Sequence, residues 1–292
     1  MKMQPECIQC FFQQADRLLK YLRTSKPKRF KILKQLGNYL FSIEKYDRTP
    51  AFYASTMYKI LYESVGVKDP YKKVKKEYNK LILEMYPELL KLIKNSRNPI
   101  YSALKLSAIG NTIDFGVETS LDIKREIQNF EKIEFKKDDF KIFQKLLKNS
   151  VKIMLIADNA GEIIFDKLLL ETINLAGKYK IVIGVRGAPV INDVTLKDLK
   201  DIHFNDNIKI VSNGNAFVGT ILDRCSKEFL KEFRESDIII SKGQANFESL
   251  NECKSKNIFF LFKAKCEPVA KFLGVQQDSL IFSYNIVSTK NK

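Results

Sequence analysis

The sequence predicts an α/β protein: a mostly parallel, doubly wound sheet built from residues 149–292, with an all-helical region, residues 1–148, packed on it. Three observations predict it. Before about residue 150, apolar side chains recur every three or four positions, the spacing of one helix face. After it come short runs rich in Ile, Val and Phe, the pattern of strands covered on both faces. Helical patterns lie between several of these runs, as the crossovers of a parallel sheet require.

The helical region begins with "CIQCFFQQADRLLKYL", "RFKILKQLGNYLFSIEKY" and "TMYKILYESV", punctuated by Pro27, Pro50 and Pro70. A lysine-rich helix, "YKKVKKEYNKLILEMYPELLKLIKN", follows. After Pro99, "IYSALKLSAIGNTIDFG" predicts a helix ending near Gly110, and "FKKDDFKIFQKLLKNS" closes the helical half as a connector. The predicted strands are 152–157, 180–185, 208–212, 237–241, 257–262 and 279–284, with helices at 161–177 and 223–234 among the connections.

Composition bounds the function classes. A chain of 292 residues, 45% hydrophobic and 29% charged, has material for the core of one or two domains. No apolar run approaches the roughly 18–20 residues of a membrane span, and the first residues lack a secretory pattern. The expectation is a cytoplasmic protein with no membrane partner and no assigned oligomeric state. Five irregularly spaced cysteines point to reduced thiols rather than a disulfide framework. The net charge of +16 is concentrated in residues 1–150, as lysines scattered along helical patterns. That distribution reads as a solvated surface rather than a nucleic-acid partner, because no zinc-finger spacing or aromatic-bearing RNA-binding strand accompanies it. A basic nucleic-acid-binding protein is one alternative. A nucleotide-cofactor enzyme such as a methyltransferase is another, opposed by the lack of G-x-G-x-x-G after the first strand and of any phosphate-binding G-x-x-x-x-G-K motif.

In doubly wound sheets, ligands bind beyond the carboxyl ends of the strands. There the sequence places Asp158-Asn159, then "RGAPVINDVT" with Arg186 and Asp193, "NGNAFVGT", "KGQANFE" after Lys242, and "KAKCEP" with Lys265. Asp158, Asn159 and Asp193 offer only oxygen, and the chain holds a single histidine. Such a set suits Mg²⁺ or Mn²⁺, with Co²⁺ or Ni²⁺ as further candidates, the remaining positions going to water and a substrate phosphate. Lys242, starting a turn with Gly243, is placed to neutralise phosphoryl oxygens, and Arg186 to do so bidentately. Structural readings compete with these. Asn159 and Glu162 fit a helix capping box, Asn192-Asp193 fits a cap before "VTLKDLK", and Lys242 taken alone is an ordinary surface lysine.

At these residues the chain resembles the metal-dependent damage-control phosphatases. The resemblance covers nearly the whole chain and rests on "PECIQC", "GNTIDFG" (110–116), "DNAGEIIFD" (158–166), "RGAPVINDVT" (186–195) and "SKGQANFE" (241–248). The N-terminal C-x-x-C looks like that of the compact archaeal and bacterial branch. The resemblance implies a divalent metal on Asp158, Asn159 and Asp193. It also implies hydrolysis of a small phosphorylated metabolite, such as a sugar phosphate or a phosphopantetheine derivative, and Lys242 as a phosphate contact. It further implies that Asn111 and Asp114 reach over the metal from the helical region. Gly243 and Glu162 join Lys242 on the substrate side. The eukaryotic sugar-phosphate branch has an Arg-Thr-x-Lys motif where this chain has "FKAKCEP", which leaves Lys265 as its counterpart and hexose-phosphate preference undetermined. Cys7 and Cys10 fall on one helix face, compatible with core packing, a soft-metal site or a redox pair. His203 has no companion and reads as a surface residue.

Overall fold

Apolar spacing becomes helix through the first half of the chain. In the computed structural model, which describes residues 1–112 and 120–285, α1 spans Glu6–Tyr21, α2 Lys26–Phe41, α3 Pro50–Val65, α4 Lys72–Lys94 and α5 Pro99–Thr112. Pro27 and Pro50 sit in the first turns of α2 and α3, where a missing N–H costs no helical bond. Gly110 does not end α5, which runs on to Thr112. Its role is close approach: a Cβ there would lie 2.9 Å from the Phe165 ring and 3.3 Å from the Glu162 backbone.

The segment read as a helical connector is more varied. After α6 (Ser120–Gln128), Phe135–Asp138 form a short strand, β1, before α7 (Phe140–Leu147). The strand has only four residues, with lysines at its centre, so it carries no apolar run. Such short, charged strands are typical of sheet edges.

The remaining elements alternate: β2 Lys152–Ile156, α8 Glu162–Ala176, β3 Lys180–Val185, β4 Ile208–Ser212, α9 Lys227–Glu235, β5 Ile238–Lys242, α10 Gln244–Leu250, β6 Ile258–Lys263, α11 Glu267–Leu273 and β7 Leu280–Tyr284. The sheet order is β1-β7-β6-β5-β2-β3-β4. From β6 to β4 every pair is parallel, β7 is antiparallel to β6, and β1 is parallel to β7. This is the mostly parallel sheet expected from the continuously apolar runs. The strand order reverses between β2 and β5, which opens a crevice at their carboxyl ends.

Helices cover both faces. One face packs on α4, α5, α7 and α8 through residues such as Ile82, Leu104, Phe143 and Leu168. The other packs on α9, α10 and α11 through Phe229, Phe247 and Val269. Helices α1–α3 share a separate cluster around Leu18, Leu36 and Met57. The helical half is thus divided, since α4 and α5 belong to the sheet's own core. Among the described residues, no helix is long and apolar enough to cross a membrane.

Candidate active site

Where β2 stops, the chain turns with little length to spare. Asp158 and Asn159 follow the strand closely, and Gly161, at φ +79°, opens α8. The second segment comes from the loop after β3. Asn159 and Asp193 pair as an antiparallel bridge, the Val194 N–H donates to the Asp158 carbonyl at 2.8 Å, and the Ala160 N–H donates to that of Asn192 at 3.0 Å. This stitching brings Asp158, Asn159 and Asp193 together, as their residue types suggested. Ile191 takes φ +47°, a strained value for a β-branched side chain. The Tyr62 hydroxyl accepts its N–H at 2.8 Å.

The capping-box reading is met only in part, with Glu162 Oε2 accepting the Asn159 N–H at 3.4 Å. Gly161, not Asn159, is the N-cap of α8, and the Asn159 amide donates to Asp158 Oδ2 and Glu162 Oε2, both at 2.9 Å. The capping box lies instead at Thr195 and Asp198, on a 3-10 turn. Asp193 therefore has no capping duty.

Each of the three residues keeps one oxygen in reserve. Asp158 accepts at Oδ2 from Asn111 (3.1 Å) and Asn159, Asp193 accepts at Oδ2 from Arg186 Nε at 2.6 Å, and Asn159 engages through Nδ2. Their Oδ1 atoms accept no hydrogen bond among the described residues. The carboxylates are nearly sealed from solvent: Asp158 is 9% exposed, Asp193 4% and Glu162 0%. Burial, then the charges of Asp193 and Glu162, push the Asp158 carboxyl well above the usual range, with Lys265 and Arg186 opposing. Burial raises Asp193 too, against the pull of Arg186. Crowded carboxylates with spare oxygens are what a hard divalent cation compensates, so the residues fit such an ion. Among the described residues, no group of three or more His, Cys, Asp or Glu is set to hold a metal. The set here is two carboxylates and an amide, because the third carboxylate, Glu162, is taken by Lys242 at 2.9 Å.

Two residues expected as phosphate contacts are buried and engaged by protein groups. Lys242 is fully buried, its ammonium donating to Asp166 Oδ1 (2.7 Å) and the Ser107 carbonyl (2.9 Å) and paired with Glu162. Its ammonium is engaged by these groups and counters the charge of the buried carboxylates. Arg186, 2% exposed, is committed to Asp193, to Thr220 (3.3 Å) and to Asn246 (3.0 Å). It orients Asp193. Glu162 likewise faces inward, holding Asn111 at 3.0 Å and Asn159. Asn111 reaches in from α5 and also accepts the Lys263 N–H at 3.2 Å. Lys265 is exposed and close enough for its charge to lower the Asp158 pKa. Among the described residues its ammonium enters no ion pair. Asp114 lies outside the described residues.

Gly243 is placed for a steric reason. At φ +81°, a Cβ there would lie 2.1 Å from Asp158 Oδ2. Gly243→Ala is expected to cost about 1–3 kcal/mol through backbone strain and overpacking and to abolish stabilisation by Mn²⁺, both read by thermal melting with and without the ion.

Several supporting residues were not read from the sequence. Asn79 of α4 accepts the Gly161 N–H at 2.6 Å and donates to the Asp198 carbonyl at 2.7 Å. Lys75, also buried, pairs with Asp69 and Asp198 at 3.0 and 2.9 Å. Asp166 and Ser107 complete the Lys242 cluster. The one available signal was Glu162 and Asp166, four apart on the apolar first turns of α8. All five cysteines are free thiols. Cys7 is buried among the α1–α3 residues, which drives its pKa up to about 11, whereas Cys10 accepts from Gln14 at 3.1 Å. His203 is exposed.

Comparison with known proteins bears on this geometry. The family described as damage-control phosphatase ARMT1-like domain matches residues 3–281. A damage-control phosphatase of Pyrococcus horikoshii is 34% identical, covering 98% of this chain and 99% of its own. An uncharacterized protein of Methanocaldococcus jannaschii is 36% identical, covering 94% and 93%. The crystal structure of a DUF89 family protein from Pyrococcus horikoshii superposes with a TM-score of 0.87 at 33% identity, covering 98% of this chain and 99% of that one.

Proposed function

Since the chain belongs to the damage-control phosphatase ARMT1-like family, we propose that it is a divalent-metal-dependent phosphomonoesterase acting on a small phosphorylated metabolite of the cytoplasm. The observation that supports this reading is that Asp158, Asn159 and Asp193 each keep an Oδ1 free of hydrogen bonds among the described residues, with the backbones of the last two bridged. They would hold Mg²⁺, Mn²⁺ or a similar ion, which when bound supplies Lewis-acid polarisation of a phosphoryl group and of water.

The chain's own residues do the rest. Arg186 occupies Asp193 Oδ2 and leaves Oδ1 free of hydrogen bonds. Asn111 and Asn159 hold Asp158 Oδ2 in the same way. Glu162 fixes both amides, and Lys242 pairs with Glu162 and holds it in place. Lys265, an exposed cation beside these acids, is the residue left to neutralise the substrate's phosphoryl oxygens. The metabolite is specified here to the class of small phosphomonoesters, sugar phosphates and phosphopantetheine derivatives among them.

The test is a hydrolysis screen over sugar phosphates, phosphopantetheine and nucleotides with Mg²⁺, Mn²⁺, Co²⁺ and Ni²⁺ in turn. Phosphate release that needs a divalent ion and stops with chelator is expected. Equal release in chelator would sink the metal assignment, and no release from any ester would sink the phosphatase reading.

A further inference from the structure

Gln244, the residue after Gly243, is engaged on every polar atom of its side chain. Its Oε1 accepts the Lys265 N–H at 2.8 Å, and its Nε2 donates to Glu248 Oε1 at 2.9 Å and to Cys266 Sγ at 3.3 Å. The Lys265 backbone N–H can only donate, so it fixes which way the amide faces, with the Glu248 side chain, buried on α10, at its nitrogen. The oxygen must then point at the Lys265 backbone. On the other side, the Gly243 backbone lies directly against the Asp158 carboxylate. Gln244 is therefore a strut between the floor under Asp158 and the segment that carries Lys265.

That segment needs one. Lys265 follows β6 and is exposed, and a lysine side chain loses substantial rotamer freedom when it must meet one anion. On its amino side the chain is tied to the sheet by the Ala264 N–H donating to the Ser279 carbonyl at 2.9 Å. At Lys265 itself the backbone is held by two side chains, Gln244 on its N–H and Gln277 on its carbonyl at 3.2 Å. Gln277 is itself on an exposed turn, whereas Gln244 is anchored at the head of α10 against a buried carboxylate.

We infer that Gln244 is a positioning residue: it sets the backbone of Lys265 so that the ammonium meets the phosphoryl group held at Asp158. The inference rests on the reading of Lys265 as the phosphate contact. A residue that acts only through the phosphate grip changes how tightly the ester and inorganic phosphate bind, and changes the bound reaction little.

The test uses the full chain with Mn²⁺ and p-nitrophenyl phosphate as probe, with inorganic phosphate as competing inhibitor. Lys265→Ala, Gln244→Met and the double variant are compared, with Gln244→Asn, which shortens the strut by one methylene, as the second variant should Gln244→Met fail to fold. Each single change is expected to raise KM and the phosphate inhibition constant about tenfold, with kcat nearly unchanged. The double variant is expected to be no worse than Lys265→Ala, because the strut has nothing left to position. If Lys265→Ala weakens phosphate binding and the folded Gln244 variants do not, the strut is refuted while the phosphate reading stands. If Lys265→Ala leaves phosphate binding unchanged, both fail together. A fall in kcat without a change in KM in the Gln244 variants also overturns the inference.

Discussion

Lys242→Met is expected to destabilise the protein by about 3–5 kcal/mol, the cost of leaving buried carboxylates without their counter-charge. Lys242 and its partners Glu162 and Asp166 are all 0% exposed, so water cannot take over. Burial pulls the Lys242 pKa down, yet Asp166 and Glu162 outweigh it and the net shift is upward. A base whose folded pKa is raised contributes stability below its ordinary pKa and loses it as pH climbs through the raised value. That contribution is present throughout the neutral range. Asp166 behaves oppositely: burial drives it up to about 6 despite the neighbouring ammonium. Its protonation favours the fold at acid pH, and that gain is lost as pH rises through about 6. Without the ammonium, Asp166 would hold its proton to higher pH still. The Lys242→Met deficit should accordingly be smaller at pH 5 than at pH 8. Urea denaturation at the two pH values measures it, and a deficit under 1 kcal/mol at pH 8 would mean that the cluster is solvated.

Asp158→Asn is expected to reduce metal-dependent turnover on the order of 10³-fold while stabilising the metal-free protein. The wild-type carboxyl is raised by burial and by Asp193 and Glu162. An acid whose folded pKa is raised favours folding only while protonated, and this support disappears as pH rises through the folded value. Its ionised form is therefore a burden on the fold, which the amide lifts while an oxygen still accepts from Asn111 and Asn159. The metal-free melting temperature should rise by roughly 2–4 °C for each kcal/mol relieved, and Mn²⁺ should no longer add to it. Wild-type turnover in this variant would remove Asp158 from the site.

The sheet was legible because its central strands are buried on both faces and so carry long apolar runs. β1 was not, because an edge strand of four residues stabilised by one neighbour needs no such run. The trio Asp158, Asn159 and Asp193 was legible for a related reason: polar residues directly after an apolar strand stand where sheets of this winding bind ligands. The burial of Lys242 was not legible, because sequence shows a side chain's charge and not its surroundings. Its partners Asp166 and Ser107 are brought beside it by the packing of α5 against α8. The same holds for Arg186, whose partners Thr220 and Asn246 lie far along the chain. Lys75, Asn79 and Tyr62 were invisible for a different reason. They act on backbone and on charges from helices outside the sheet, and no local pattern marks a helix residue that reaches another segment's turn.

The pairing of β1 with β7 has a consequence for how the chain is made. Residues 135–138 leave the ribosome long before residues 280–284, the strand they dock on. Until those last residues arrive, β6 offers an open row of N–H and carbonyl groups beside an almost wholly apolar sequence, a template for pairing with another nascent chain. The Lys263 N–H that Asn111 accepts closes β6 itself. Pairing of β7 therefore covers a strand that also touches the candidate site, and slow synthesis of residues 280–284 would prolong its exposure.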